Sequence, residues 1–134
     1  MTILGLGVDI VHLPRIAALI SRRSADRFAC RVLSPTEYGQ WKQITRSAAP
    51  AEQIRFLGVR WCVKEASYKA LYPLVKPTWK ELTYHPLSNG QKPWLQFHPN
   101  NANNFEKVGQ VHVSISHDGD YIYSSVLIEA PAST

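Results

Sequence analysis

Alternating side-chain types mark the beginning of the chain as a β-strand. From Ile3 to Val11, one set of alternate positions holds only leucine, valine and isoleucine, and the other set includes two glycines and one aspartate. A period of two residues is typical of a strand. A helix is predicted to follow, from Pro14 to about Arg23, because the first turn of a helix does not need the N–H that proline lacks.

Two further helices are predicted in the first half of the chain. The sequence Ser-Pro-Thr-Glu beginning at Ser34 is a capping box, which opens a helix that runs to about Lys42. The polar stretch 45–53 is expected to be a loop. The longest helical pattern runs from about Glu52 to Leu71 and ends before Pro73.

The second half of the chain is rich in strand patterns. Short strands are predicted at Glu81–Tyr84 and Trp94–His98, with a polar loop at 99–104. The strongest local signal is a hairpin whose strands, Val111–His117 and Asp120–Ile128, are joined by a two-residue Asp-Gly turn. The predicted fold class is therefore α+β, with an antiparallel sheet packed on one long helix.

Composition agrees with a single domain over residues 1–134. Hydrophobic residues make up 45% of the chain and charged residues 19%, which is typical of a globular protein. The apolar runs fall short of the roughly 20 residues that a membrane span needs. Cys30 and Cys62 are far apart and form no Cys/His cluster, so a zinc site or a disulfide framework is not expected. Because Asp9 interrupts the first apolar stretch, no secretory signal is expected.

Positive charge is concentrated in the first half of the chain. Residues 1–70 carry 11 Lys and Arg against 5 Asp and Glu, whereas residues 71–134 carry 4 against 5. A basic surface indicates an acidic partner: nucleic acid, a phosphorylated small molecule or an acidic protein. Arg15 and Arg22 lie about 20° apart around a helix and share one face. Three more arginines extend this surface, for which a merely solvated basic face is the simpler alternative: Arg23, Arg27 and Arg31.

A carboxylate lies on the apolar side of the long helix. At 100° per residue, Glu65 falls between Trp61 and Cys62 around the helix. A carboxylate in such a stripe is costly unless a cation or hydrogen-bond donors compensate it. Lys69, one turn later, is the nearest candidate. The simpler alternative is an ordinary Glu–Lys pair at the edge of the core.

Asp9 is the second unusual carboxylate. It follows Gly5 and Gly7 on the same side of the first strand. Glycines weaken a strand, and one reason for their presence is the close approach of another backbone or of a ligand. The alternative for Asp9 is a cap on the next turn. A dinucleotide-binding glycine motif is excluded, because the third glycine is missing and the two glycines lie inside the strand.

The hairpin supplies a third cluster of polar side chains. With an Asp-Gly turn, Ile115 is expected opposite Ile122 on an apolar face, and His117 lies at the tip. The opposite face presents further polar groups: His112, Ser114 and Ser116. Such groups at a strand end can bind phosphate, although a histidine there is more often simply exposed. Two acids, nearby cations and this tip suit a pyrophosphate bound through Mg²⁺, which takes one or two carboxylates and completes its shell with phosphate and water.

Three segments of the sequence resemble one known family. They are Gly7-Val8-Asp9-Ile10 on the first strand, the long-helix segment from Arg60 to Ala70 (RWCVKEASYKA), and Ser114-Ile115-Ser116-His117-Asp118 in the hairpin. In this order they resemble the 4′-phosphopantetheinyl transferases, of the short holo-[acyl-carrier-protein] synthase type. Residues 69–81 are similar to fungal mitochondrial members, which implies a mitochondrial location, with the cytoplasm as the alternative.

The resemblance implies a group-transfer enzyme that depends on Mg²⁺. The phosphopantetheine arm of coenzyme A, the co-substrate, passes to a serine of an apo acyl carrier protein, and adenosine 3′,5′-bisphosphate is released. Asp9 and Glu65 match the Mg²⁺ ligands of the family. The larger members have another acid two residues after the first, where this chain has Val11. Glu65, directly or through a metal-bound water, is the expected base for the serine proton.

The remaining expected roles also come from the resemblance. Lys69 would contact the pyrophosphate and stabilise charge on the leaving phosphate, and Lys64 would be a weaker phosphate contact. Arg60 and His117, with Ser116 alongside, match the residues that hold the 3′-phosphate of coenzyme A. Arg15, with Arg22 on the same face, would meet the acidic helix of the carrier protein.

The family also implies a homotrimer, with sites between subunits, that binds neither nucleic acid nor a membrane. The alternative function is a non-catalytic basic module that binds nucleic acid or an acidic protein. That alternative explains the arginines, but it does not explain an acid on the apolar stripe of the long helix.

Overall fold

The computed structural model describes residues 1–132 and contains the following elements in chain order. They are β1 (Ile3–His12), α1 (Leu13–Arg23), α2 (Ala25–Val32), α3 (Pro35–Ser47), α4 (Pro50–Leu71), a 3₁₀ turn (Trp79–Glu81), β2 (Leu82–His85), β3 (Trp94–Phe97), α5 (Ala102–Glu106), β4 (Val111–Asp118) and β5 (Tyr121–Glu129).

The strands form two antiparallel sheets. The larger sheet has the order β1-β5-β4, and β2 pairs with β3 in the smaller one. Helix α4 packs against β1 and β5 and supplies buried residues to both hydrophobic clusters of the core, including Val63 to one and Leu57 to the other. The predicted α+β fold, an antiparallel sheet on one long helix, is confirmed. Among residues 1–132, no helix combines the length and apolar character of a membrane span.

The two glycines of β1 allow the strand to lie directly against α4. A Cβ atom built on Gly7 would overlap the carbonyl oxygen of Ala66, and one built on Gly5 would overlap that of Ala70. Of the two expected reasons for these glycines, the structure shows the approach of another backbone. This contact brings Asp9, two residues after Gly7, beside the middle of the long helix.

We expect Gly7→Ala to destabilise the fold. The added methyl group overlaps backbone atoms of α4, so the strand must move away, at a cost of about 1–3 kcal/mol for overpacking. Gly39→Ala in α3 is the matched control, because nothing lies within 4 Å of its Cβ position and alanine favours a helix by about 0.5–1 kcal/mol. Urea unfolding of both variants tests this pair, and a Gly7→Ala variant as stable as the wild type would contradict the close contact.

The helices of the first half differ from the prediction in two places. The expected loop at 45–53 is wrong, because α3 continues to Ser47 and α4 begins at Pro50. Proline fits at the start of α4 for the same reason as in α1. Helix α2 was not predicted; it begins after Ser24, whose hydroxyl accepts a hydrogen bond from the backbone N–H of Arg27. Its eight residues are too few for a clear helical period.

The register of the β4–β5 hairpin and the structure of one loop also differ from the prediction. Ile115 lies opposite Ser124 rather than Ile122, and the turn residues are Gly119 and Asp120. Gly119 has a φ of 54°, and a glycine at the first position of a two-residue turn is typical of type II′. The observed turn lies one residue later in the chain than the predicted turn, and this shift places Gly119 at the position that requires a positive φ. The expected polar loop at 99–104 contains the start of the short helix α5.

Candidate active site

Asp9 and Lys69 meet where β1 crosses α4. The Lys69 ammonium donates a hydrogen bond to the backbone oxygen of Val8 at 2.9 Å and lies 3.4 Å from a carboxylate oxygen of Asp9. The Cys62 thiol is 3.4 Å from the backbone oxygen of Asp9, which ties this part of the strand to the helix. Glu65 lies on α4 between Cys62 and Lys69. The structure thus brings together Asp9, Glu65 and Lys69, as expected.

The two carboxylates influence each other electrostatically. The pKa of Glu65 is raised, first by burial and then by the negative charge of Asp9, while Lys69 opposes the shift. Burial also raises the pKa of Asp9, again against the effect of Lys69. Both acids are therefore partly withdrawn from water, and the charge of Lys69 acts on both of them. Such a pair gains from an added cation.

This donor set fits a hard divalent cation that is shared with a substrate. Carboxylate oxygens are the protein ligands that Mg²⁺ prefers, and it commonly takes only one or two of them. Among residues 1–132 there is no group of three or more His, Cys, Asp or Glu side chains that could hold a metal ion. If Asp9 and Glu65 hold such a cation, the remaining ligands would be phosphate and water oxygens.

A cleft opens beside Glu65. It has a volume of about 330 Å³, and its wall opposite α4 is formed by Thr78, Trp79 and Leu82. Tyr68, one turn after Glu65, also lines it. The cleft is mainly apolar and has a carboxylate at its edge, so it suits a flexible, weakly polar chain that ends in a reacting group at Glu65.

Lys64 also lines this cleft, but its ammonium is bonded to groups in the protein interior. Its side chain is 1% exposed, and its ammonium donates to a carboxylate oxygen of Glu37 at 2.5 Å and to the backbone oxygens of Val32 at 2.8 Å and Trp79 at 2.9 Å. An ammonium has three N–H donors, so all are used inside the protein. In this geometry Lys64 has no donor left for the phosphate contact that was expected of it.

Arg60 also lies in the interior. Its guanidinium carbon is 3.7 Å from the ring centroid of Phe56 and 5.4 Å from that of Tyr84. It is five residues from Glu65, which places it about 140° away around α4. Burial lowers the pKa of Arg60 to about 10, and its Nε atom has no hydrogen-bond partner among residues 1–132. The structure therefore does not bring Arg60 to Asp9 and Glu65 of the same chain.

Ser116 and His117 lie on the other outer strand of the sheet. Ser116 pairs with Tyr123, and His117 pairs with Ile122, and both are exposed. Strand β5 separates β4 from β1, so His117 and Asp9 stand two strands apart. One chain thus assembles the carboxylates and Lys69 but does not add the polar hairpin tip to them.

Comparison with known proteins identifies the family. The sequence profile of the 4′-phosphopantetheinyl transferase superfamily matches residues 5–125. The chain belongs to this superfamily. A holo-[acyl-carrier-protein] synthase from Erwinia tasmaniensis is 38% identical over 134 residues, covering 97% of this chain and 100% of that protein. The resemblance noted in the sequence to the 4′-phosphopantetheinyl transferases is confirmed.

Solved structures of the superfamily share the fold. The holo-[acyl-carrier-protein] synthase from Neisseria meningitidis has a TM-score of 0.80 and 26% identity, covering 96% of this chain and 99% of that one. A holo-(acyl-carrier-protein) synthase from Bacillus anthracis str. Ames, in complex with coenzyme A (3′,5′-ADP), has a TM-score of 0.72 and 25% identity, covering 97% and 99%.

The outer face of the larger sheet is apolar and exposed. Leu6 is 63% exposed and Ile10 is 64% exposed, although both lie on the strand that carries Asp9. Val8 and the neighbouring Tyr121 and Tyr123 of β5 are exposed as well. The glycine side of β1 is the side that packs on α4, so Leu6, Val8 and Ile10 face outward. A contiguous apolar patch of this kind indicates a protein–protein interface.

A groove with an arginine rim lies at α1 and α2. Its volume is about 420 Å³, and Phe28 and Trp61 form part of its lining, with their ring centroids 5.3 Å apart. Its rim carries four cations: Arg22, Arg23, Arg27 and Arg31. The sequence indicated the arginines but not the aromatic pair, because Phe28 belongs to the helix that was not predicted.

Proposed function

We propose that this chain is a holo-[acyl-carrier-protein] synthase that uses Mg²⁺ held by Asp9 and Glu65. It transfers the 4′-phosphopantetheine arm of coenzyme A to a serine of an apo acyl carrier protein and releases adenosine 3′,5′-bisphosphate. The observation that carries the proposal is the meeting of Asp9, Glu65 and Lys69 at the β1–α4 crossing in a chain of this superfamily.

The side chains of the site have separate tasks in this reaction. The serine oxygen forms a bond to the β-phosphorus of coenzyme A, and the bond from that phosphorus to the leaving nucleotide phosphate breaks. Glu65, directly or through a metal-bound water, accepts the serine proton. Lys69 lies at the site with its ammonium fixed by Val8, where it stabilises charge on the leaving phosphate. When bound, Mg²⁺ would neutralise the pyrophosphate oxygens.

The cleft beside Glu65 suits the pantetheine arm. Tyr68, Trp79 and Leu82 offer apolar surface to the arm, and the pyrophosphate would then lie at the carboxylate end. Placing the reacting phosphorus and the serine within a fixed geometry accounts for much of the rate gain in such transfers.

We propose a homotrimer whose subunits meet through the exposed apolar face of β1 and β5. A closed ring would cover Leu6, Val8 and Ile10. It would also bring the β4 edge of one subunit, with Ser116 and His117, to a neighbour. The 3′-phosphate contacts expected of these residues would then be made to coenzyme A in the neighbour's site.

We expect Arg15→Glu to weaken use of the carrier protein selectively. Arg15 is exposed on α1, the helix that also carries Arg22 of the arginine-rimmed groove, and an acidic helix would pair with this surface. Reversing one charge is expected to raise KM for the carrier protein about 10-fold, in the range of exposed interface charges, and to leave KM for coenzyme A unchanged. Steady-state kinetics in both substrates test this, with Lys92→Glu as the control. An equal defect for coenzyme A would contradict the assignment.

The proposed reaction is tested by mass. The chain is incubated with coenzyme A, Mg²⁺ and a panel of apo acyl carrier proteins, and the carrier proteins are then weighed. Addition of one phosphopantetheine group to a single serine is the expected result, and it should disappear when the metal is chelated. No mass change with any carrier protein would contradict the function.

The alternative, a basic binding module, makes a different prediction. Isothermal titration with coenzyme A should show binding that strengthens with Mg²⁺ if the carboxylate site is used. Binding of nucleic acid without any metal-dependent binding of coenzyme A would favour the module. The pair of partly buried carboxylates beside Lys69 favours the transferase, because repulsion of phosphate by these acids serves no purpose in a nucleic-acid site.

The cellular setting stays a prediction. The similarity of residues 69–81 to fungal mitochondrial members supports a mitochondrial location and a role in fatty acid biosynthesis. Imaging of the chain with a fluorescent protein at its C-terminus tests the location.

A further inference from the structure

A buried ion pair that the proposed reaction does not use lies at the cleft, which Lys64 helps to line. The ammonium of Lys64 and the carboxylate of Glu37 are 2.5 Å apart, with 1% and 0% of their side chains exposed. Burying two charges is costly, and apolar residues of similar size often serve stability as well or better. Stability alone therefore does not explain why the chain buries this ion pair.

The contacts of this pair connect α4 to both ends of one segment. Lys64 donates to the backbone oxygen of Trp79 at 2.9 Å. The other carboxylate oxygen of Glu37 accepts a hydrogen bond from the backbone N–H of Tyr84 at 2.8 Å. The segment between these two points, residues 79–84, contains Leu82 and begins at the wall of the cleft.

The same pair also fixes the helices behind the wall. Lys64 donates to the backbone oxygen of Val32 at the end of α2, and Glu37 accepts from the backbone N–H of Ser34 at the start of α3. Every hydrogen bond of the Lys64 ammonium thus joins α4 to another element. Helices α2 and α3, the 3₁₀ turn and β2 converge on these two side chains.

Lys64 directly precedes Glu65 in the helix. Any movement of the wall relative to Lys64 therefore changes the width of the cleft at Glu65. The ring of Trp79 lies 4.8 Å from the ring of Trp61, one turn before Glu65, so the indole packs on α4 while the backbone oxygen behind it is held by Lys64.

We propose that Lys64 and Glu37 are positioning residues that hold the wall of residues 78–82 at a set distance from Glu65, and that Lys64 acts through this wall rather than on phosphate. The role in binding coenzyme A rests on the proposed function, whereas the anchoring of the wall does not. Without the pair, the backbone of the 3₁₀ turn loses its hydrogen bond to α4, and the cleft matches the arm of the substrate less well.

Amide hydrogen exchange tests the anchor in the complete chain without substrate. In Lys64→Met, the amides of residues 78–81 are expected to exchange at least tenfold faster, while those of β1 and β5 keep their wild-type rates. Lys107→Met, which removes an exposed lysine of the same chain, is the matched control. Because Lys64→Met leaves Glu37 without its cation, the double variant Lys64→Met/Glu37→Gln carries the test if the single one does not fold. Unchanged exchange at 78–81 in a folded variant overturns the proposal.

Kinetics separates positioning from direct phosphate contact. In Lys64→Met and in Glu37→Gln, KM for coenzyme A is expected to rise at least tenfold with a smaller change in kcat, and the double variant is expected to be no worse than the more impaired single variant. A defect in Lys64→Met that is absent in Glu37→Gln overturns the proposal in favour of a phosphate contact. Folded variants with wild-type KM also overturn it. If the wild-type chain transfers nothing, the proposed function fails, and the exchange measurement still decides the anchor.

Discussion

Glu65→Gln and Asp9→Asn are each expected to lower the transfer rate by at least about 10³-fold, within the range for loss of a general base or a key electrostatic group. Both substitutions keep the size of the side chain and remove its charge. Glu65→Gln removes the proposed proton acceptor, and either change removes one of the two carboxylates that fit Mg²⁺. The rate with saturating coenzyme A and Mg²⁺ is the measurement, and Glu52→Gln, at an exposed position in the first turn of the same helix, is the control.

The same variants are expected to remain folded. A raised pKa means that the ionised carboxylate is less favourable in the folded chain than in the unfolded chain. For Asp9 and Glu65 this cost grows as the pH rises from the ordinary pKa through the raised one, and it is complete above the raised pKa. Asparagine or glutamine removes it, so the melting temperature without metal should not fall. A variant that is inactive because it is unfolded would instead assign these acids a structural role.

Leu6→Glu is expected to convert the protein to monomers and to lower activity by roughly 100-fold, as displaced catalytic groups can. Leu6 is 63% exposed on the face proposed to join subunits, and a carboxylate buried there without a cation opposes association. Sedimentation measures the oligomeric state, and circular dichroism checks that the monomer is folded. Leu87→Glu, at a leucine that is 69% exposed outside this face, is the control. A folded, fully active monomer would contradict the shared site.

Mixing two inactive variants distinguishes a shared site from a site within one chain. Glu65→Gln and His117→Ala are expected to be impaired alone. When they are produced together, some mixed assemblies contain a site with Glu65 from one subunit and His117 from another. Activity should therefore reappear in the mixture. Absence of recovery in mixed assemblies would place both residues in the same chain's site.

The part of the site that could be predicted from sequence is the part built by local patterns. A strand period of two includes Asp9, and a helical period of 3.6 places Glu65 on an apolar stripe. The two glycines of β1 predicted the close approach of a backbone or a ligand. The structure shows that the approaching group is the backbone of α4. Because these signals come from residues close together in the chain, the sequence was sufficient to predict this part of the site.

The expected roles of Lys64 and Arg60 could not be predicted correctly from local sequence patterns. Both belong to the segment that resembles the superfamily, and both are cations near Glu65 in sequence. Whether such a side chain faces a substrate or the interior depends on elements that pack on the other side of α4. Glu37 was predicted only as a capping residue, which it is, and its ion pair with Lys64 joins positions 27 residues apart.

The sequence by itself determined the fold class, the superfamily and the three side chains at the β1–α4 crossing, since each follows from a short period or a contiguous motif. Only the tertiary structure decided which face of β1 is buried, where the hairpin turns and what Lys64 holds. A side chain's environment is set by backbone atoms far away in the chain: the carbonyls of α4 select the glycine side of β1, and the burial of Lys64 leaves its three N–H groups no acceptors but Glu37, Val32 and Trp79.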